Sequence, residues 1–239
     1  AAGAIGSASA RSFVAAGFEV VGLDRDPSVV AVAPSNFTGI VVDLEARSEV
    51  ARAIERAIAC GPLTHVIQIA GGALPEEPGT QDDPLALPIE VFRASLEANL
   101  TTTFGLLQAV LPWWRRSTGD RSMTLTSSFN ALTGLGMPAY SAAKAGLIGM
   151  MHALVGPLGR EGIRINVVAP GTIRTPRTER LWAHDAGHFE RLEAGSALGR
   201  LGTPDDVAAA YVALATQLAH VTGQVLTVDG GQTLLKRGR

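Results

Sequence analysis

Residues 1–10 read AAGAIGSASA, and the placement of Gly3 and Gly6 in that run decides how the rest of the chain is read. Two glycines three apart, followed by small residues leading to Phe13 and Val14, describe a tight turn opening into a helix that Gly17 ends. The free amides and positive dipole end of such a helix favour a phosphate group. A turn of this kind normally hangs from the end of a β-strand, and the quoted stretch opens without one.

Outward from that turn, short apolar runs alternate with longer amphipathic stretches. Strands are expected at 18–23, 37–42, 64–69, 122–126, 163–168 and 224–228, and helices at 50–59, 92–110, 140–158 and 204–218. This alternation predicts an α/β fold: a Rossmann-type, doubly wound parallel sheet with helices on both faces and right-handed crossovers. Pro157 is expected to distort or end the last turns of its helix. Residues 73–87, rich in proline and acids, read as an exposed loop. Residues 174–201, polar and carrying Trp182 and Phe189, read as a lid-type insertion. No repeat or linker interrupts the pattern, so one domain over 1–239 is expected.

In such a sheet, ligands bind beyond the carboxyl ends of the strands. The ends read here are Asp24, Asp43, Ala70-Gly71-Gly72, Ser127-Ser128 and Pro170-Gly171, all polar or glycine-rich. A carboxylate at Asp24 accepts hydrogen bonds from both hydroxyls of an adenosine ribose and repels a 2′-phosphate, which favours NAD over NADP. Arg25 beside it tempers the preference, because a guanidinium tolerates that phosphate. The other reading of Asp24 is a turn aspartate ahead of Pro27.

Twenty basic and 22 acidic side chains leave a net charge of −2, so no one-signed field draws in nucleic acid or an anionic membrane. With 46% of residues hydrophobic, a sizeable core is available. The apolar stretch 145–159 is broken by His152 and Pro157 and is too short to span a bilayer. The single Cys60 rules out an internal disulfide framework, and a buried, inert thiol is expected in a soluble, cytoplasmic protein. His184 and His188 lie four apart, but no third ligand accompanies them, so no metal site is expected. The arginines at 174, 177 and 180 are either a receiver for an anionic substrate group or a solvated basic segment. Trp182, Phe189, Leu74, Phe129 and Leu135 are candidate walls for an apolar substrate body.

The stretch YSAAK places Tyr140 and Lys144 on one helix face. A free phenol titrates near ~10, and bringing it to ~7 needs about 4 kcal/mol. One ammonium at ~4 Å supplies roughly that at an effective dielectric of ~20. Such a tyrosine can exchange a proton with an alcohol or ketone oxygen while hydride moves to or from a nicotinamide.

Together these stretches resemble the short-chain dehydrogenase/reductase family. The likeness runs through the glycine turn, Asp24, Asp43, AGG, EANLTTTFG, TLTSS, YSAAK and INVVAPGTIRT to the tail GRLGTPDDVAAAYVALAT and VTGQVLTVDGG, nearly the whole chain, with a leaning toward 3-oxoacyl reductases. The resemblance implies that Tyr140 is the general acid/base. Lys144 lowers its pKa and holds the nicotinamide ribose. Ser128 or its neighbour Ser127 binds the substrate oxygen, with Ser128 preferred. Asn99 bulges its helix and anchors a proton-relaying water. Gly3, Ile5, Gly6, Asp24, Asp43, Ala70, Gly71, Pro170, Gly171, Ile173 and Thr175, with Tyr140 and Lys144, contact the cofactor. It also implies an apolar strand and a further glycine ahead of Ala1, lying in the sheet between the strands that end at Asp24 and Ala70. The family's usual NNAG is replaced by Gln68-Ile69-Ala70-Gly71, which removes an asparagine that knits the central strands.

The expected activity is interconversion of a secondary alcohol and a ketone with NAD(H) on a small-molecule substrate. An NADPH-dependent 3-oxoacyl thioester reductase and a non-catalytic cofactor-binding regulator are the alternatives. The Ala-, Gly- and Met-rich face of the Tyr140 helix is expected to pack against a second subunit in a homotetramer.

Overall fold

A computed structural model of the chain describes residues 1–31, 35–77, 83–133 and 137–235. Leu135 lies outside the described residues. In chain order the elements are α1 (Ala4–Ala15), β1 (Val20–Asp24), β2 (Phe37–Val41), α2 (Arg47–Ala59), β3 (His65–Gln68), α3 (Ile89–Leu96), α4 (Thr102–Trp114), β4 (Arg121–Thr126), the short α5 (Asn130–Thr133), α6 (Pro138–Arg160), β5 (Ile163–Pro170), α7 (Pro176–Leu181), α8 (His188–Ala194), α9 (Pro204–Thr216) and β6 (Val225–Val228).

Every strand pairing is parallel. β3, β4, β5 and β6 form one four-stranded sheet in that order, and β1 with β2 forms a second ladder. Between β1 and β3 no ladder forms among the described residues. A cavity of about 230 Å³ lies there, lined among others by Val20, Val21 and Leu23 on one side and Ile67 and Ile69 on the other.

All eight residues of β5 are buried, as expected of a central parallel strand covered on both faces. Alternation along it divides the core. Ile163, Ile165 and Val167 pack with Val110 and Trp114 of α4 and Leu147 and Met151 of α6. Val168 packs with Phe13 of α1 and Val207, Tyr211 and Leu214 of α9. Helices thus cover both faces, and the strand ends carrying Asp24, Ser127-Ser128 and Pro170-Gly171 all open on the carboxyl edge of parallel ladders.

Three local expectations are corrected. The helix expected at 92–110 begins at Ile89 and ends at Trp114, with a π-turn at Glu97–Thr101 inside it. α6 runs through Pro157 to Arg160 rather than ending there. Pro157 lies in the final turn and is exposed, where a missing amide and a displaced carbonyl are open to water. Cys60 is exposed, not buried: it caps the C-terminus of α2, beyond that helix's last fully buried residue, Ile54.

Candidate active site

α6 starts abruptly. Met137, just ahead of it, has φ 52° and ψ 66°, a left-handed conformation that a non-glycine residue adopts only under local strain, and Pro138 then sets the first helical φ. Tyr140 follows in the first turn and Lys144 one turn later. The Ser127 hydroxyl donates to the Lys144 carbonyl at 2.8 Å and ties α6 to the end of β4. Ser128, the next residue, has its hydroxyl near enough to the Tyr140 phenol to lower that group's pKa. It also accepts from the Asn130 amide at 3.2 Å. Of the two serines, only Ser128 is placed against the phenol.

Lys144 is buried, and its Nζ donates to the Thr126 carbonyl at 2.9 Å. Nζ lies 5.7 Å from the centroid of the Tyr140 ring. Burial raises the Tyr140 pKa above the ordinary phenol value and is the largest influence on it. The Ser128 hydroxyl and the Arg177 guanidinium act in the opposite direction, and Glu77 adds to the rise. The expected acidification by Lys144 is therefore corrected for the protein alone. Its ammonium is committed to a backbone carbonyl, and the desolvation that raises the phenol also pulls Lys144 down to about 8.

That displaced lysine has a consequence for stability. Between about pH 8 and the ordinary lysine range the unfolded chain binds a proton that the native protein does not, so unfolding free energy rises with pH in that window. The stability of the wild type relative to Lys144→Met is expected to climb by about 3 kcal/mol between roughly pH 7 and pH 10. Equilibrium denaturation across that range checks it, and a pH-independent difference contradicts it.

Asn99 sits in the π-turn, fully buried. Its Oδ1 accepts from the Gly72 amide at 2.8 Å, while Nδ2 donates to the Gly72 carbonyl at 3.1 Å and the Ser95 carbonyl at 2.9 Å. The bulge is present as expected, but both ends of the side-chain amide clamp the AGG loop and leave no donor for a water. The clamp explains Gly71: its φ is +118°, and a Cβ there would lie 2.5 Å from Asn99 Oδ1. Gln68 does not replace the missing asparagine. Its Nε2 donates to the Ala70 carbonyl at 2.7 Å, within its own loop. The central strands are stitched instead by Thr126, whose hydroxyl donates to the Gln68 carbonyl at 2.5 Å and contacts Tyr211 Oη at 2.7 Å.

At the nucleotide end, Gly3 is the N-cap of α1, no side chain caps that helix, and a Cβ on Gly3 would meet nothing within 4 Å. Gly6 is packed tightly, a Cβ there lying 2.8 Å from Ala1 Cα. The turn thus offers Ala4 and Ile5 at an uncapped helix start facing open space, which fits a pyrophosphate. Asp24 closes β1; Oδ2 accepts from the Ala2 amide at 2.8 Å and Oδ1 from Asp26 at 3.0 Å. Asp43 is exposed and accepts from the Glu45 amide at 3.0 Å. Gly171, after Pro170, donates to the Val228 carbonyl at 3.0 Å, and a Cβ there would lie 2.6 Å from Gln232 Oε1. Ile173 is buried and bridges to Gly202. Thr175 caps α7 in a reciprocal pair with Thr178, so its hydroxyl has a structural partner already.

In the 174–201 region, Trp182 stacks near His188 with centroids 4.4 Å apart and meets Phe189 edge-on at 5.8 Å. Arg174 lies 4.6 Å over the Phe189 ring and 3.9 Å from a Glu193 oxygen. Arg177 reaches the cleft, donating to the Ala73 carbonyl at 2.7 Å, and no carboxylate pairs with it among the described residues. His188 pairs with Asp185 at 2.9 Å, and no metal-holding cluster of three or more His, Cys, Asp or Glu forms among the described residues.

One residue escaped the sequence reading. Glu77, in the segment read as exposed loop, is 1% exposed, and its carboxylate accepts the amides of Ala139 and Tyr140 at 2.7 and 3.0 Å. Its partners lie some sixty residues away, so no local spacing announces it.

A family model described as enoyl-(acyl carrier protein) reductase matches residues 1–233. The 2,3-dihydro-2,3-dihydroxybenzoate dehydrogenase of Escherichia coli is 31% identical over 238 residues, covering 96% of this chain and 93% of that protein. The L-fucose dehydrogenase of Mus musculus is 32% identical over 241 residues, covering 96% and 85%. Among solved structures, an oxidoreductase from Burkholderia thailandensis superposes with a TM-score of 0.86 at 37% identity, over 96% of this chain and 89% of that one.

Proposed function

This chain belongs to the short-chain dehydrogenase/reductase family, and we propose that it interconverts a secondary alcohol and a ketone with NAD(H), using Tyr140 as the proton-exchanging group. As a member it is an oxidoreductase acting on a CH–OH group. The observation that carries the finer reading is the convergence of the Ser128 hydroxyl on the Tyr140 phenol, one helical turn from a buried Lys144, at the carboxyl end of β4.

In this reading, Ser128 and Tyr140 present two hydroxyls to one substrate oxygen. Ser128 donates a hydrogen bond that fixes the oxygen, and Tyr140 gives or takes its proton. Lys144, held by Thr126 and by Ser127, keeps a positive charge near the ring at neutral pH. A bound nicotinamide supplies or accepts the hydride. Gly3, Ile5, Gly6, Asp24, Asp43, Ala70, Gly71, Pro170, Gly171, Ile173 and Thr175 are the residues that would hold that cofactor, with Lys144 at its nicotinamide ribose.

A panel of secondary alcohols and ketones followed by nicotinamide absorbance, with each cofactor in turn, tests the reading. Rates with NADP equal to or above those with NAD overturn the NAD assignment. Asp24→Asn is expected to weaken NAD selectively, shifting the NAD/NADP ratio of kcat/KM by at least about tenfold, the value of one hydrogen bond to a charged group. An unchanged ratio contradicts the ribose role of Asp24.

We also propose that residues 174–201 close over the substrate and that the protein assembles as a homotetramer. The exposed stripe of small residues at Ala142, Ala145, Gly149 and Ala153 on α6 supports a subunit contact there. Native mass spectrometry decides the oligomeric state.

A further inference from the structure

We infer that Glu77 is a positioning residue for proton exchange: it anchors the start of α6 from the loop after β3 and sets the charge that Tyr140 meets there. The inference rests on the reading of Tyr140 as the proton-exchanging group.

The geometry is specific. Glu77 Oε1 accepts from the Ala139 amide at 2.7 Å and the Tyr140 amide at 3.2 Å, and Oε2 accepts from the Tyr140 amide at 3.0 Å. Burying a carboxylate is costly unless its oxygens are satisfied, and these two amides, with the positive end of a 23-residue helix behind them, satisfy it. Among the described residues α6 has no local alternative. Its own N-cap residue, Met137, is in the left-handed region, and no side chain caps the helix from there. The first turn, which carries Tyr140, is held by a residue of the loop after β3.

That loop is pinned at three points around the cleft. Asn99 clamps Gly72, Arg177 of α7 holds the Ala73 carbonyl, and Glu77 holds the Tyr140 backbone. The charged and titratable groups near the phenol are Lys144 of α6, Arg177 of α7, Tyr211 of α9 and Glu77 of the loop. Glu77 opposes formation of the phenolate and Arg177 favours it. Neighbouring Glu76 is exposed and makes no such contact, so the role belongs to one acid of the pair.

Charge and reach separate by substitution. Glu77→Gln keeps the shape and removes the charge; Glu77→Asp keeps the charge and withdraws it from the amides. The chain has two tyrosines, Tyr140 and Tyr211, so in a Tyr211→Phe background the phenolate absorbance of the protein alone reports Tyr140. Glu77→Gln is expected to move that titration midpoint to lower pH. The rising limb of the kcat–pH profile for alcohol oxidation moves with it. Glu77→Asp is expected to leave the midpoint in place and lower kcat between about ten- and a hundredfold, as a misplaced acid/base group does. A Glu77→Gln midpoint that stays or rises overturns the inference, as does an equal shift in Glu77→Asp. Failure of both variants to fold also overturns it, because the residue is then a structural cap alone. The titration needs no turnover. An active Tyr140→Phe enzyme therefore sinks the functional reading, while an unmoved Glu77→Gln midpoint sinks this one.

Discussion

Replacing Tyr140 by phenylalanine lowers kcat by about 10³-fold while leaving the folded state and cofactor affinity within a few-fold of the wild type. The change removes one oxygen and keeps the ring. The Ser128 hydroxyl retains its contact with the Asn130 amide, and Lys144 retains the Thr126 carbonyl. What disappears is the group proposed to exchange a proton with the substrate oxygen, and positioned acid–base groups contribute roughly 10²–10⁴-fold. The phenol of the native protein is held above its ordinary value by burial, so little phenolate exists at neutral pH without further help from the reacting partners. Alcohol oxidation is therefore expected to accelerate as pH rises, and Tyr140→Phe to lose that dependence. Steady-state kinetics across pH, with nucleotide affinity measured by tryptophan fluorescence, separate the two effects. A loss smaller than tenfold, or an intact pH profile, refutes the assignment.

Arg164→Ala destabilises the fold by about 3–5 kcal/mol, the largest stability effect expected from a single polar side chain here. Arg164 is the second residue of β5, buried, and its guanidinium is fully engaged. Nε and Nη2 meet both oxygens of Asp120 at 3.0 and 2.9 Å, Nη1 donates to the Leu214 carbonyl at 2.7 Å and Nη2 to the Ala215 carbonyl at 3.0 Å. The cation thus sits on the last carbonyls of α9, where a helix attracts positive charge. Truncation leaves those buried carbonyls without a donor. A chain of this size loses roughly 2–4 °C of Tm per kcal/mol, so thermal unfolding is expected to shift by about 10 °C. Asp120→Asn, whose side chain is half-exposed, costs far less because water replaces the lost charge. A shift of under about 2 °C for Arg164→Ala contradicts this account. The site feels this clamp through α9, whose Tyr211 holds Thr126, whose carbonyl in turn holds Lys144.

Much of this was legible locally. Tyr140 and Lys144 share a face because four residues make one helical turn, and Gly3, Gly6 and Asp24 flag a helix start and a strand end by spacing. Asn99 stood in a recognisable motif, but its hydrogen bonds to Gly72 depend on a loop packed against the π-turn from 27 residues away. Glu77 had no signal at all: in sequence it is one acid among prolines. The exposure of Cys60 and the passage of α6 through Pro157 were misread because both depend on which turns reach water.

By itself the sequence determined the alternation of strands and helices, the parallel sheet and the residue types gathered at its carboxyl edge. These follow from periodicity and covalent spacing, which act over a few residues. Tertiary structure alone decided which serine meets the phenol, what Lys144 holds and which acid anchors α6. Each of those is a contact between distant segments, and burial at such contacts governs both hydrogen-bond partners and proton affinity.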